Sequence, residues 1–344
     1  MRQVIADWHD YTLIIDKQST VYCFGKFMNW QNTTHISGIP PIWSVSCGNS
    51  HCLMLDDDGS VWGLGSNQNM RLGLPQSNFY NSPTRVEGMP EITAISCSPF
   101  AHSLFLDVNG AVWSCGVNSF GALGPKHCHT GSLNMIENLP RIESICAGYC
   151  QSLLLDVNGT VWALGFNGDG RLGAGPEIME NPQKVEGLPT IRHLSSCFTQ
   201  SLFLDVDGGV WGCGRNKKGA LGTLKRKVFV PEKIPDLPPV ASLAGGYHHS
   251  LFLDYEGTVW FCGKIAGQKA FKPQKVPIED AIHDIYAGPN SGILRQSERI
   301  WVWGATSYTK FAVSGECEAT TIPSLVPGVT VLNASRISTK SARK

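Results

Sequence analysis

The 344-residue chain carries 28 basic and 28 acidic side chains, so its formal net charge is zero, and charged residues make up only 16% of it. With no basic excess to hold a phosphate backbone, composition argues against nucleic-acid binding by the chain as a whole. No apolar run is long enough to cross a bilayer, which argues against a membrane partner, and the length exceeds what one ordinary core absorbs.

Val4–Ala6 reads as an incoming strand, and Trp8–Asp10 as a loop that feeds it into Tyr11–Asp16, the first half of a hairpin. This first hairpin is irregular, with Ser19 in place of the turn glycine and Tyr22 in place of a tryptophan. Its clearest copy is Gln200–Gly214, Q-S-L-F-L-D-V-D-G-G-V-W-G-C-G. Alternating Leu202 and Leu204 predict a half-buried strand, Asp205–Gly208 a tight turn, and Val210–Gly214 the returning strand. Asp205 can bond backbone N–H groups two residues on, and Gly208 tolerates positive φ.

Seven such hairpins end at Gly25, Gly65, Gly116, Gly165, Gly214, Gly263 and Gly304, spaced by 40, 51, 49, 49, 49 and 41 residues. That period belongs to solenoids and propellers. After four of the hairpins comes a glycine-rich stretch, at Ser66–Gly73, Val117–Gly124, Phe166–Gly173 and Arg215–Gly222. No helical periodicity follows these stretches, so a phosphate loop is disfavoured and a wide Asn/Gly turn is expected. A third signature, Pro83–Ile92, Pro182–Ile191 and Pro231–Val240, carries at least two prolines each time and predicts an outermost edge strand. Segments such as Ile191–Cys197 complete four strands per repeat. The expected fold is therefore all-β: a single seven-bladed β-propeller of four-stranded antiparallel blades over residues 1–333, its ring closed by pairing of the N- and C-terminal segments. Pro323–Leu332 resembles another edge strand, and residues 334–344 read as a short basic, solvated tail.

The motifs H-S-L-x-L-D-x-x-G-x-V-W-x-x-G, x-N-x-x-G-x-L-G and P-x-x-V-x-G-L-P resemble the repeat of the regulator of chromosome condensation family over nearly the whole chain. WD-repeat and kelch signatures are missing. The resemblance implies the propeller fold and offers several activities: nucleotide exchange on the small GTPase Ran with chromatin binding, domains of HECT ubiquitin ligases, photoreceptors, and adaptors. The exchange factor's inserted β-wedge needs an extra hairpin, yet the longest repeat is 51 residues, its excess lying at Leu74–Ser82. A basic N-terminal arm like that of the family's chromatin binder does not precede the first repeat. The expectation is a non-catalytic protein interaction module, scaffold or adaptor, acting as a monomer. A guanine nucleotide exchange factor for a Ran-like small GTPase is the alternative, and a substrate-binding partner in a ubiquitin-ligase pathway a further one.

No catalytic residues, cofactor or metal are expected. His51, His102 and His249 share one repeat position before the second strand, where an inter-blade hydrogen bond explains them. His127-Cys128-His129 lacks further ligands at zinc spacing. Asp56, Asp107, Asp156, Asp205 and Asp254 serve the turns, and Trp62, Trp113, Trp162, Trp211 and Trp260 are read as inter-blade packing. Twelve cysteines recur at strand positions as small apolar residues, and with no signal peptide before the first repeat the expected location is intracellular, cytoplasmic rather than nuclear. The candidate partner-binding residues are Phe100, Tyr149, Phe198 and Tyr247, which hold one position in the loop before the second strand, with His9, Asn49 and Gly288 there in the other repeats. Such an arc could anchor a protein partner or cap the inner strands. Arg71, Arg171 and Lys217, in the glycine-rich loops, are expected on the opposite face as an alternative site.

Overall fold

A strand with apolar side chains on both faces must be covered twice, and sheets stacked around an axis do this while leaving only short, protected edges. The computed structural model describes residues 5–8, 10–27, 34–75, 77–125, 133–173, 175–196, 198–265, 267–297, 299–304 and the backbone of 320–326. Its strands form seven antiparallel sheets, each of four consecutive strands. The blades span residues 5–36, 42–85, 92–135, 142–184, 191–233, 240–275 and 284–326. In blade 5 the strands are Ile191–Ser196, Gln200–Asp205, Val210–Arg215 and Lys227–Lys233, paired in that order.

The first strand of each blade touches the first strands of its neighbours and so lies innermost. The fourth lies outermost and holds Pro83, Pro182, Pro231 and Pro273, as expected of an edge. In blades 2 to 6 every residue of the second strand is buried, which corrects the half-buried reading of Leu202 and Leu204. Phe203 fills the intervening position with a ring as fully buried as the two leucines. Alternation separates two blade seams here; it does not separate core from solvent.

The hairpin turn is built as its residues dictate. Asp205 Oδ1 accepts from the N–H groups of Asp207 (3.0 Å) and Gly209 (2.6 Å), and Gly208 sits at φ +84°. Its Oδ2 accepts from Trp211 Nε1 at 2.9 Å, a bond repeated from Trp62, Trp113, Trp162 and Trp260 to their own aspartates. The repeated tryptophans are thus tied to their turns and only half-buried, although Trp211 and Trp260 do pack on the seam cluster around Phe203 and Phe252. Among the fully buried rings are Phe105, Phe203 and Phe252 on second strands, with Tyr11 on the second strand of blade 1 and Trp303 on the third strand of blade 7.

A latch joins the middle blades. Asn67, Asn118, Asn167 and Asn216 open the glycine-rich loops, and their Oδ1 atoms accept the N–H of Leu72, Leu123, Leu172 and Leu221 at 2.8–3.0 Å. Each leucine is buried, and the carbonyl just before it turns toward the next blade. Ser103, Ser152, Ser201 and Ser250 donate to the carbonyls of Arg71, Ala122, Arg171 and Ala220 at 2.6–2.7 Å. The wide-turn reading of these loops holds, with an inter-blade bond added to it.

Blade 1 meets blade 7 by packing and side-chain bonding. Ser291 Oγ donates to Asp7 Oδ2 at 2.5 Å, and Thr12 Oγ1 donates to Asp7 Oδ1. The last described strand, Thr320–Val326, pairs with Arg299–Gly304 of its own blade, so among the described residues the ring closes without strand exchange between the two ends of the chain. Residues 327–344, which include the rest of the Pro323–Leu332 segment and the basic tail, lie outside the described residues.

Candidate functional site

The loop between first and second strands begins where the innermost strand ends, which places its side chains at one mouth of the axis. The third strand is drawn against this loop by its terminal glycine. At Gly116 φ is +113°, and a Cβ there would stand 2.3 Å from the carbonyl oxygen of Ala101. The equivalent Gly65, Gly165, Gly214, Gly263 and Gly304 face the same backbone within 2.1–2.5 Å. Only glycine fits so close an approach at positive φ.

On these loops the four predicted aromatics form one continuous row. Ring centroids of Phe100 and Tyr149 lie 4.9 Å apart, Tyr149 and Phe198 4.1 Å, and Phe198 and Tyr247 4.5 Å. The row runs on to Trp8, 5.8 Å from Tyr247, and Trp8 Nε1 donates to Asn49 Oδ1 at 3.0 Å. Phe100 is 40% exposed, Tyr149, Phe198 and Tyr247 are half-buried, and Trp8 is buried at 6%. Burial, with Tyr149 close by, pushes the Tyr247 phenol up to about 12, so the row stays uncharged at neutral pH. Its rings therefore pack on one another while leaving edges open to solvent.

Strand register refines the alignment. Ser291 pairs with Gly304 as His249 pairs with Gly263, so Pro289 and not Gly288 stands in the blade 7 position. Tyr247 N–H donates to the carbonyl of Pro289 at 3.0 Å, and this compact loop lets Trp8 of blade 1 reach Tyr247 of blade 6. Trp8 was not legible as a member because it is one residue out of step with the repeat; His9, which holds the aligned position, lies outside the described residues.

Arg71 and Arg171 are at the same end as the aromatics, not on the opposite face. The strands are antiparallel, so the start of the second strand and the end of the third coincide, as in the pairing of Gln200 with Gly214. Arg171 Nη1 donates to the carbonyl of Phe198 at 3.0 Å, and Arg71 Nη1 to that of Phe100 at 3.5 Å. Both guanidiniums are buried, and that of Arg171 lies 4.8 Å from the centre of the Phe166 ring. They hold the aromatic loops; Lys217, in the same kind of loop, is exposed.

The titratable groups nearby are committed to packing. Ser103 Oγ lies 3.3 Å from His51 Nε2 and Ser152 Oγ 3.3 Å from His102 Nε2, the inter-blade contacts anticipated for this position. Burial lowers both imidazoles to about 3 and His249 to about 4, so all three stay neutral. Burial likewise raises the thiols of Cys115, Cys213 and Cys262, and no disulfide joins the described cysteines. No three potential ligands stand together among the described residues, and His127-Cys128-His129 lies outside them. No helix among the described residues is long and apolar enough to cross a membrane.

The fold and its repeated loops define a seven-bladed propeller with four antiparallel strands in each blade. The RCC1-like domain model matches residues 29–339, and the chain belongs to that family. It is similar to mouse serine/threonine-protein kinase Nek9 (28% identity over 142 residues, 36% of this chain and 14% of the kinase). It also resembles human probable E3 ubiquitin-protein ligase HERC3 (42% over 87 residues, 24% and 8%) and human protein RCC2 (34% over 108 residues, 30% and 20%). The matched stretch thus spans a fifth or less of each of these relatives. Among solved structures, Prp20p of Saccharomyces cerevisiae superposes with a TM-score of 0.78 at 21% identity, covering 92% of this chain and 87% of that one. Human WBSCR16 superposes with 0.77 at 22%, covering 86% and 84%.

Proposed function

We propose that the chain is a non-catalytic interaction module, a scaffold or adaptor, whose protein partner docks on the end bearing Phe100, Tyr149, Phe198 and Tyr247. The observation that carries this reading is the unbroken aromatic row with solvent-open edges on rigid loops. Clustered rings with little side-chain entropy to lose are the usual anchors of protein interfaces. His51 and His102 are spent on blade seams, and Asp56, Asp107, Asp156, Asp205 and Asp254 on the hairpin turns.

A second reading, guanine nucleotide exchange on a Ran-like GTPase, draws on the likeness to Prp20p, for which binding to Gsp1p and histones is described. Against it, the described part of each blade holds four strands and no additional hairpin. A role beside a ubiquitin ligase draws only on the short match to HERC3.

The test places the photo-crosslinker p-benzoylphenylalanine at Phe198 and, separately, at Val206 in the turn at the other end. The reading expects a protein crosslinked from position 198 and not from 206, and a recombinant partner whose affinity falls with Phe198→Ala. Crosslinking from 206 alone would overturn it. Accelerated GDP release from a panel of small GTPases would replace it with the exchange reading.

A further inference from the structure

Cations are unevenly placed on this neutral chain. Residues 208–231 and 257–278, in blades 5 and 6, hold ten Lys and Arg side chains and no carboxylate. Five of the ten have partners within the fold. Lys225 pairs with Glu232 (2.7 Å), Lys227 with Asp169 (2.8 Å) and Lys272 with Asp236 (3.6 Å), while Lys269 and Lys275 lie over the rings of Phe271 and Trp260. Arg215, Lys217, Lys218, Arg226 and Lys264 are exposed and have no carboxylate within ion-pair distance among the described residues.

Four of these five are held beside the aromatic row by the backbone. Arg215 N–H donates to the carbonyl of Thr199 at 2.9 Å, next to Phe198, and Lys264 N–H donates to that of His248 at 2.7 Å, next to Tyr247. Lys217 and Lys218 follow Arg215 in the loop fastened by Asn216. The charges converge: the imidazole of His248, 6.5 Å from the Tyr247 ring, is lowered by burial first and then by Lys218, Arg215 and Lys264. Asp169 of blade 4 pairs with Lys227 at 2.8 Å and with Arg171 at 3.6 Å.

We propose that Phe198 and Tyr247 with Arg215, Lys217, Lys218 and Lys264 form a composite docking site for an acidic linear segment of a partner protein. The proposal rests on the reading that a protein docks at this end, and it adds the chemistry of the docking sequence. An apolar side chain of the segment lies on the ring edges, and Asp or Glu residues flanking it meet the four cations. Charge complementarity of this kind selects partners and speeds encounter, and it is screened by salt. A nucleic acid would need cations tracking its backbone over many nucleotides, and these are confined to two blades.

The experiment uses the full chain and fluorescence anisotropy. The probes are a labelled 16-residue peptide of Asp and Glu around a central Trp-Leu pair, the same peptide with Asn and Gln for the acids, and a 16-nucleotide oligo-dT. The acidic peptide is expected to bind at least tenfold tighter than its amide twin at 50 mM salt and to weaken several-fold at 300 mM. Lys217→Ser with Lys218→Ser and Lys264→Ser should cost at least tenfold with no change in melting temperature, since these side chains are exposed. Phe198→Ala should weaken both peptides. Equal binding of the two peptides, an unaffected triple variant, or tighter binding of oligo-dT would each overturn the proposal. If the protein crosslinked from position 198 binds the triple variant as well as the parent, the acidic-segment inference fails while the docking end stands; crosslinking only from 206 removes both.

Discussion

Blades 2 to 5 and the arc formed by blades 6, 7 and 1 share strand order but not the means of joining. In the first group each blade sends a glycine-rich loop whose carbonyl, from Arg71, Ala122, Arg171 or Ala220, receives a serine hydroxyl of the following blade. Blades 1 and 6 have no such loop motif, and the receiving position in the blade after each is Cys52 and Gly292. At the closure it is Thr12, which bonds Asp7 instead. The serine is therefore present wherever the preceding repeat supplies a carbonyl for it. The unit under physical constraint is the seam between repeats, as expected where stability is a sum of repeat and nearest-neighbour terms. The aromatic row begins in blade 3 and runs through blades 4 and 5 of the first group, while its last two members, Tyr247 of blade 6 and Trp8 of blade 1, belong to the second.

The largest expected effect comes from acid, and it divides the seams differently. His51 and His102 fall to about 3 and His249 to about 4 from an ordinary 6.5, burial being the largest cause in each and the Arg71 charge adding to it at His51. The native state thus lacks protons that the unfolded chain takes up, so their contribution is complete above pH 6.5 and is lost as pH falls toward 3–4. Each can remove up to about 1.4 kcal/mol per pH unit in that window. Blades 4 and 5 carry Gln151 and Gln200 at this position, bonded to Ser196 Oγ and the Gly246 carbonyl. His102→Gln should flatten the fall in denaturant-derived stability between pH 6 and 4 by about one proton; an unchanged slope would show that this imidazole does not control the seam.

Next in size is the core. Phe203→Ala, at a fully buried ring in a latched seam, should lower unfolding free energy by about 3–5 kcal/mol. Trp211→Ala should cost less, because its ring is half-exposed and part of its hold is one bond to Asp205. Tyr149→Ala should cost less again in stability while weakening partner binding by roughly 2 kcal/mol or more. Urea titrations rank the three. A Tyr149→Ala loss equal to that of Phe203→Ala would make the row core and not surface.

What sequence made legible was whatever one repeat encodes within itself. Asp205 and Gly208 announce their turn, Pro182 and Pro231 their edge strand, and the spacing of Phe100, Tyr149, Phe198 and Tyr247 their common position. What was hidden depends on a second blade. Alternation at Leu202 and Leu204 looked like one dry face because a single strand cannot show that a neighbour covers its other side. The end on which Arg71 and Arg171 lie is hidden too, because motif order along the chain does not say which loops of an antiparallel hairpin share an end. Trp8 enters the row from a shifted position, and the serine of Q-S-L finds its acceptor some thirty residues earlier, across the repeat boundary.

A serine deletion measures the latch itself. Ser152→Ala leaves the carbonyl of Ala122 without its inter-blade donor in a buried seam, at a cost of about 1–3 kcal/mol. The reciprocal change is the smallest effect expected and the sharpest probe. Cys52 is fully buried, its Sγ lies 3.9 Å from Tyr11 Oη, and Cys47 stands opposite on the neighbouring strand. Cys52→Ser introduces a hydroxyl where the preceding repeat lacks the loop motif that supplies a latching carbonyl. Tyr11 Oη already donates to the carbonyl of Gly48 at 2.7 Å and can accept from the new group, so the hydroxyl is accommodated without gain. Stability should move by less than about 1 kcal/mol, a neutral exchange of one weak donor for another. A gain comparable to the loss in Ser152→Ala would mean that serine alone strengthens a seam, and the division between latched and unlatched blades would then rest on the receiver and not on the loop.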